Sequence, residues 1–441
     1  MKYLSSYYPS NRFGNLSAQK PILVSVLDVG SSKICCIVAR LTPAERSEIL
    51  SGRSHKIDIL GIGYQRAQGI KSGVIVDLAE AEQAIRLAVD GAERRAGVMI
   101  ESVIVSMSAG RIASGGYSTE IDLNGAEVTD AEIQMVLDAG RAKFVEGGRM
   151  ALHALPTGYT LDNQTKPIDP RGLRGMRLGV DMHVVTADQA PLQNLELAIN
   201  RCHLEVERFV AAPYSSALAT LTEDEPKLGV GLIDLGGGTT SISVFQNGHL
   251  VHTDCIAVGG NHITMDIARG LSTPLSEAER LKNMHGSVWP GTSDDGDILS
   301  IPSVTDEHEQ AQQCPRSYLT RIIKPRVEEI LELVRDRLAN AGYLGVVNRG
   351  LVLTGGGSQL NGIGEEARRM ISRNVRTGRP LGIGGLPEAA RGPSFAAAAG
   401  LLVYPQVAEL EQLESRQPQS LQMTGTDGYV DRFRRWISES F

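Results

Sequence analysis

Val230-Gly231-Leu232-Ile233-Asp234-Leu235-Gly236-Gly237-Gly238-Thr239-Thr240-Ser241-Ile242-Ser243-Val244-Phe245 joins two apolar runs through a carboxylate, three glycines and two threonines. The apolar runs read as strands over 230–233 and 241–245, with residues 234–240 as the turn between them. Three consecutive glycines suit a plain hairpin badly, because each adds conformational entropy that folding must remove. A backbone that lies flat against a bound phosphate accounts for them, since glycine puts no β-carbon in the way. On that reading Gly236, Gly237, Gly238, Thr239 and Thr240 offer amides and hydroxyls to an anion. Asp234, at the strand end, is placed to hold the water shell of Mg²⁺. A bare glycine turn is the plain alternative.

The same device stands near the start of the chain. Ile22 to Leu27 reads as a buried strand, Asp28-Val29-Gly30-Ser31-Ser32 as a turn, and Lys33 to Arg40 as the returning strand. Gly30, Ser31, Ser32 and Lys33 would line an anion-binding concavity, with Asp28 again at the strand end. Taken alone, this is also an ordinary Gly-Ser hairpin. Its recurrence in the second half points to an internal duplication. A third turn, Leu353-Thr354-Gly355-Gly356-Gly357-Ser358, lies between a strand over 351–353 and a helix after Gly362. By itself it fits a dinucleotide site or a bare turn, and it lacks G-x-G-x-x-G.

Two Asp-led hairpins in successive halves, followed by a glycine turn before a C-terminal helix, resemble the actin, sugar-kinase and heat-shock-chaperone ATPase superfamily. The resemblance implies a bilobal, actin-like α/β ATPase fold, a duplicated ribonuclease H-like unit. It implies ATP and Mg²⁺ as cofactors, with the hairpins gripping the phosphates from opposite lobes and Gly355, Gly356 and Gly357 supporting the adenosine. Asp28 and Asp234 become the metal-holding and candidate catalytic carboxylates. Val258-Gly259-Gly260-Asn261 opens a helix over His262 to Arg269 and resembles the helix start near the phosphates, which adds Gly260. Glu279 and Lys282 share one helix face, and in bacterial actins such a pair meets ribose and base. The plain reading of that pair is a solvated, salt-bridged face.

Further stretches are similar to the FtsA family, over about residues 21–441. They are Gly69-Ile70-Lys71-Ser72-Gly73-Val74-Ile75-Val76-Asp77-Leu78, Leu232 to Thr240, Val352 to Gly357 and Pro393-Ser394-Phe395-Ala396-Ala397-Ala398. That family carries an inserted subdomain, 1C, in its first lobe. The expected layout is a disordered N-terminus over 1–20, first lobe over 21–101 and 183–227, 1C over 102–182, and second lobe over 228–405. The second lobe's outer subdomain falls at about 255–345. A small-residue helix over 394–403 returns to the first lobe, residues 406–427 form a tether, and residues 428–441 an amphipathic helix. Within the first lobe, Asp77 is the expected N-cap of a helix that buries Leu78, Ala81, Ile85, Ala88, Val89 and Ala92. Residues 283–316 are expected to be an exposed insertion, followed by a helix over 322–341.

Read as a helix, the tail places Tyr429, Val430, Phe433, Trp436 and Ile437 on one face, with Arg432, Arg434 and Arg435 beside or opposite it. Such a face suits a membrane interface, with the arginines among anionic headgroups. Docking on the protein's own body is the alternative. The family resemblance implies peripheral attachment at the cytoplasmic face of the inner membrane, at the septum. It also implies FtsZ as partner through the outer subdomain, filaments of the chain itself, and contacts with later division proteins. A small-molecule kinase or a chaperone-type ATPase would share the fold.

Composition narrows the field. The net charge is −7, from 51 acidic and 44 basic residues, so nucleic acid is not an expected partner. The five cysteines are odd in number, show no C-x-x-C spacing, and read as reduced thiols. Residues 1–20 contain no apolar run of the secretory kind, and no run of about 18 apolar residues occurs anywhere. One departure bears on turnover. Val210-Ala211-Ala212-Pro213 offers no Gln or Glu to position an attacking water, so slow hydrolysis is expected.

Overall fold

Apolar strands buried on both faces assemble two sheets. The computed structural model describes residue 16 and residues 20–408, except 46, 51, 110, 143–147, 164–166, 168 and 303–311. The first sheet runs Glu205–Ala211, Ser102–Met107, Ile22–Val29, Lys33–Pro43, His55–Arg66, Ile383–Gly384. The second runs Val375–Thr377, Leu351–Thr354, Val230–Leu235, Thr240–Gln246, His249–Ile256. In each, the leading strand has an antiparallel meander on one side and two parallel strands on the other. The same order occurs twice, so the repetition seen in the paired turns is a repetition of topology. Ile383–Gly384 comes from the second half of the chain and covers the outer edge of the first sheet by pairing with Ile57 and Asp58.

The helix Leu78–Ala96 begins where expected. Asp77 Oδ1 accepts from the amides of Ala79 at 2.9 Å and Glu80 at 3.0 Å, and Gly97 ends the helix in the left-handed conformation. Its buried face is Ala81, Ala84, Ile85, Ala88, Val89 and Ala92, whereas Leu78 is half-buried. Alanines let it lie close on the strand His55–Arg66. A β-carbon at Gly63 would meet Ala88 O at 1.9 Å.

An inserted unit follows. Strands Ala113–Asp122, Arg177–Asp188 and Arg149–Leu161 form an antiparallel sheet with the helix Asp130–Ala142 and a small core around Val128, Val136 and Met182. The expected start of this insertion at residue 102 differs from the structure. Ser102–Met107 is a central strand of the first lobe's sheet, parallel to Ile22–Val29, and the last inserted strand continues to Asp188 rather than 182. A continuous apolar strand of this kind needs both faces covered, which only the large sheet supplies.

Between the lobes, the helices Ala212–Thr220 and Ala396–Val403 cross closely. Ser215 Oγ donates to Ala397 O at 2.6 Å, and a β-carbon at Gly400 would sit 1.7 Å from Ser215 O. In the second lobe the expected helix over 322–341 spans Arg316–Asn340, and its apolar spacing carries it through Pro325. Residues 283–316 are not wholly loop, since Ile298–Ile301 pairs with Gln312–Pro315 and Arg316 is already helical. The expected disordered N-terminus (residues 16 and 20 apart), the tether beyond 408 and the tail helix over 428–441 lie outside the described residues. Among the described residues no helix is long and apolar enough to cross a membrane.

Candidate functional site

The two Asp-led turns are the same turn. In the first, Gly30 N donates to Lys33 O at 3.0 Å, and in the second Gly236 N donates to Thr239 O at 2.9 Å. A β-carbon at either glycine would lie 2.9 Å from the carbonyl it faces. Each turn follows the leading strand of its sheet, so both point from their lobes into one cleft of about 710 Å³, a volume ordinary for small-molecule sites.

Most of the expected residues meet there. The cleft is lined by Asp28, Gly30, Ser31, Ser32, Lys33, Asp234, Gly236, Gly237, Thr239, Gly260, Glu279, Lys282, Gly355, Gly356 and Gly357. Gly238 and Thr240, expected with them, do not line it. Gly238 backs onto the first hairpin, where a β-carbon would meet Ser31 Oγ at 2.5 Å. Thr240 is fully buried and donates to Val258 O at 2.7 Å. The alternation of a strand explains the pair, since Thr239 faces the cleft and its neighbour the opposite side.

The two hairpins touch. A β-carbon at Gly237 would sit 2.9 Å from Ser32 Cβ, and Asn261 Nδ2 donates to Ser31 O at 3.4 Å. The helix Gly260–Gly270 is tied to the second hairpin, with Gly260 N on Gly236 O at 2.9 Å and Asn261 N on Gly237 O at 2.7 Å. Those two amides are therefore spent inside the protein, although Gly260 itself borders the cleft.

Both strand-end carboxylates are half-buried at the cleft wall and each receives one serine hydroxyl. Ser106 Oγ donates to Asp28 Oδ1, and Ser216 Oγ to Asp234 Oδ2, both at 2.5 Å. Burial is the main effect on each and disfavours the charged form. It raises Asp28 above the usual carboxylate range and pushes Asp234 up to about 6, with the charge of Asp28 adding to the effect on Asp234. Lys33 partly offsets both. Its own value is lowered by burial, and its Nζ donates to Ser394 O at 2.7 Å while lying 3.1 Å from the Phe395 ring centre. Thus the first hairpin is fastened to the start of the closing helix.

In the second lobe, Glu279 and Lys282 form a hydrogen-bonded knot whose glutamate side is still 41% exposed. Lys282 Nζ lies 2.7 Å from Glu279 Oε2 and 2.8 Å from Thr264 Oγ1, and also donates to Gly260 O at 3.2 Å. Thr264 Oγ1 donates to Glu279 Oε2 at 2.5 Å. Burial would raise Glu279, but the Lys282 charge and these hydrogen bonds outweigh it and hold the carboxyl below its ordinary value. The lysine side chain is only 12% exposed.

Sequence reasoning missed Ser106, Ser216, Asn261 and Phe395. Ser106 ends an apolar strand beside the Asp28 strand, a faint signal. Ser216 lies in a small-residue helix and gives none. From the segment 210–213 only Ala212 borders the cleft, so that segment brings no polar side chain to it.

A duplicated sheet whose halves each present a carboxylate-led glycine turn to one shared cleft defines an actin-like ATPase fold. Among solved structures, a PilM–PilN type IV pilus biogenesis complex is similar at a TM-score of 0.59 and 15% identity, covering 87% of this chain and 99% of that one. MreB5 of Spiroplasma citri bound to ADP is similar at 0.53 and 14%, covering 89% and 98%. The family model described as cell division protein FtsA matches residues 231–400, and the SHS2 domain inserted in FtsA matches 109–186, the three-stranded unit described above. The cell division protein FtsA of Agrobacterium fabrum is 50% identical over 438 residues, 99% of each chain. This chain belongs to the FtsA family of cell division proteins.

Proposed function

We propose that this chain is an ATP-binding, actin-like adaptor that holds FtsZ and the division machinery at the cytoplasmic face of the inner membrane and assembles with copies of itself. One observation carries the nucleotide reading. Two half-buried carboxylates, Asp28 and Asp234, face one cleft from opposite lobes, each held toward its protonated form by desolvation and each relieved by a single serine hydroxyl. Such a pair fits a divalent cation, and Mg²⁺ held through water would offset their charge as well as that of a triphosphate. On this reading Gly30, Ser31, Ser32, Lys33, Gly236, Gly237 and Thr239 take the phosphates. Glu279 and Lys282 take the ribose and base, and Gly355, Gly356 and Gly357 lie flat beneath the adenosine. Gly238 serves the contact between hairpins, and Thr240 the sheet.

The absence of a polar side chain at 210–213 supports binding with slow turnover, so that nucleotide sets conformation and assembly. A steady-state rate of ordinary kinase size, ~1–100 s⁻¹, would overturn this. The tail residues Tyr429, Val430, Phe433, Arg434, Arg435, Trp436 and Ile437 supply the membrane contact, and the outer subdomain over about 255–345 the FtsZ contact. Calorimetry tests the core of the proposal. Mg²⁺-dependent uptake of ATP is expected, and it should vanish in Asp234→Ala. Deleting residues 428–441 should release the protein from anionic vesicles, and unchanged binding refutes the tail's role. Phosphoryl transfer to a small metabolite would replace the adaptor with a kinase.

A further inference from the structure

Lys33 is a cation with replaceable partners. Its Nζ donates to Ser394 O at 2.7 Å and lies 3.1 Å from the centre of the Phe395 ring. Among the described residues it forms no ion pair, although Asp28 and Asp234 line the same cleft. A carbonyl and an aromatic face are both neutral, and they hold an ammonium less strongly than an anion does. A phosphate is the stronger partner, through charge-assisted hydrogen bonds. The lysine stem is flexible and its three donors rotate, so the ammonium can turn from one partner to the other.

The two neutral partners are not a passive wall. Ser394 and Phe395 belong to a 3-10 turn, Pro393–Phe395, from which the helix Ala396–Val403 starts. Phe395 is buried, and the Tyr64 ring packs edge-on against it at 5.9 Å between centres. Residues on either side reach the rest of the site. Pro393 O accepts from Gly355 N, in the third turn, at 3.2 Å. Ala397 O accepts from Ser215 Oγ, and the neighbouring Ser216 donates to Asp234. Residues 393–397 therefore touch the first hairpin, the third turn and the helix that serves the second carboxylate. Lys33 is the charged member of these contacts, and so the one that a phosphate can take away.

We propose that Ser394 and Phe395 form a latch that competes with phosphate for Lys33. With the latch closed, the ammonium holds the start of the closing helix against the first hairpin. A phosphate on that hairpin draws the ammonium off the carbonyl and the ring, and the helix start loosens. The proposal rests on the nucleotide reading above, with Lys33 as a phosphate ligand. Opening the latch lowers the apparent affinity for a phosphate-bearing ligand, so weakening it from the Phe395 side must tighten binding. A residue that merely buttressed the site would do the opposite.

The test is titration calorimetry with ATP–Mg²⁺ and with adenosine, on the wild type and on Phe395→Leu. Leucine keeps an apolar side chain in place and removes the aromatic face. ATP should bind about threefold tighter to Phe395→Leu. Adenosine has no phosphate to offer Lys33, and its affinity should not change. Hydrogen exchange of the wild type gives a reading that needs no substitution. Saturating ATP should speed exchange of the amides over 395–400 about fivefold, and adenosine should not. In Lys33→Met those amides should already exchange at the faster rate, and ATP should leave them there. If ATP binds while exchange over 395–400 is unchanged or slowed, the latch falls and the nucleotide reading stands. Equal or weaker ATP binding by a folded Phe395→Leu overturns the latch as well, as does an equal tightening for adenosine. If the wild type takes up no ATP, both readings fall.

Discussion

Gly355 and Asp234 exclude any side chain between them, because a β-carbon at 355 would lie 2.2 Å from Asp234 Oδ1 and 2.6 Å from Leu235 O. Gly355 also has φ of +81°, a conformation that other residues adopt only under strain. The third turn is therefore glycine for two reasons, backbone conformation and the nearness of a half-buried carboxylate in the neighbouring strand. Gly355→Ala should destabilise the protein by about 2–4 kcal/mol and displace the Asp234 carboxylate. Thermal unfolding and ATP calorimetry check this. Normal affinity with normal stability would show that the turn relaxes without moving Asp234.

Asp234 gives a prediction with a pH sign. Its folded-state value is about 6 against 3.8 for the free group, raised chiefly by burial. A raised carboxyl contributes stability that is present below 3.8 and is lost as pH rises through about 6. At pH 7.5 the ligand-free protein therefore carries a half-buried charge that opposes folding. Asp234→Asn should raise Tm at pH 7.5 and give little gain near pH 4, while abolishing Mg²⁺-dependent nucleotide uptake. A Tm gain that does not change with pH would place the cause elsewhere.

Lys33 separates stability from binding. Its ammonium is buried at a cost and repaid locally by Ser394 O and the Phe395 ring. Lys33→Met removes both sides of that balance, so unfolding free energy should change by less than ~1 kcal/mol. ATP affinity should nevertheless drop at least tenfold, because the cation beside the hairpin is gone. Fluorescent-nucleotide titration distinguishes the two effects, and an unaltered Kd would remove Lys33 from the site.

Gly400 tests the crossing of the two helices between the lobes. With Ser215 O only 1.7 Å from where its β-carbon would stand, Gly400→Ala must push the backbones apart. Overpacking of this kind costs roughly 3 kcal/mol or more. Denaturant unfolding should show it. The nearby Ala399→Gly, at a buried helical site, should lose only about 1–2 kcal/mol.

Much of the architecture was legible because its signals are local. The capping of Leu78–Ala96 by Asp77 and its alanine face are set by residues within a few positions of one another. Both Asp-led turns could be read from single short stretches. The lower boundary of the insertion was not, because whether Ser102–Met107 belongs to the large sheet depends on Ile104 and Val105 pairing with Val26 and Leu27 of a strand almost eighty residues earlier.

The sequence by itself determined the two hairpins, their repetition, the third glycine turn and fifteen of the residues bordering the cleft. Backbone conformation and strand period fix those within a handful of neighbours. Only the tertiary structure decided that Ser106 and Ser216 serve the two carboxylates, that Gly238 and Thr240 turn away from the cleft, and that Lys33 fastens Ser394, 361 residues distant. The reason is physical. Desolvation, close approach and hydrogen bonding act across space, and residues meet only after the lobes have packed.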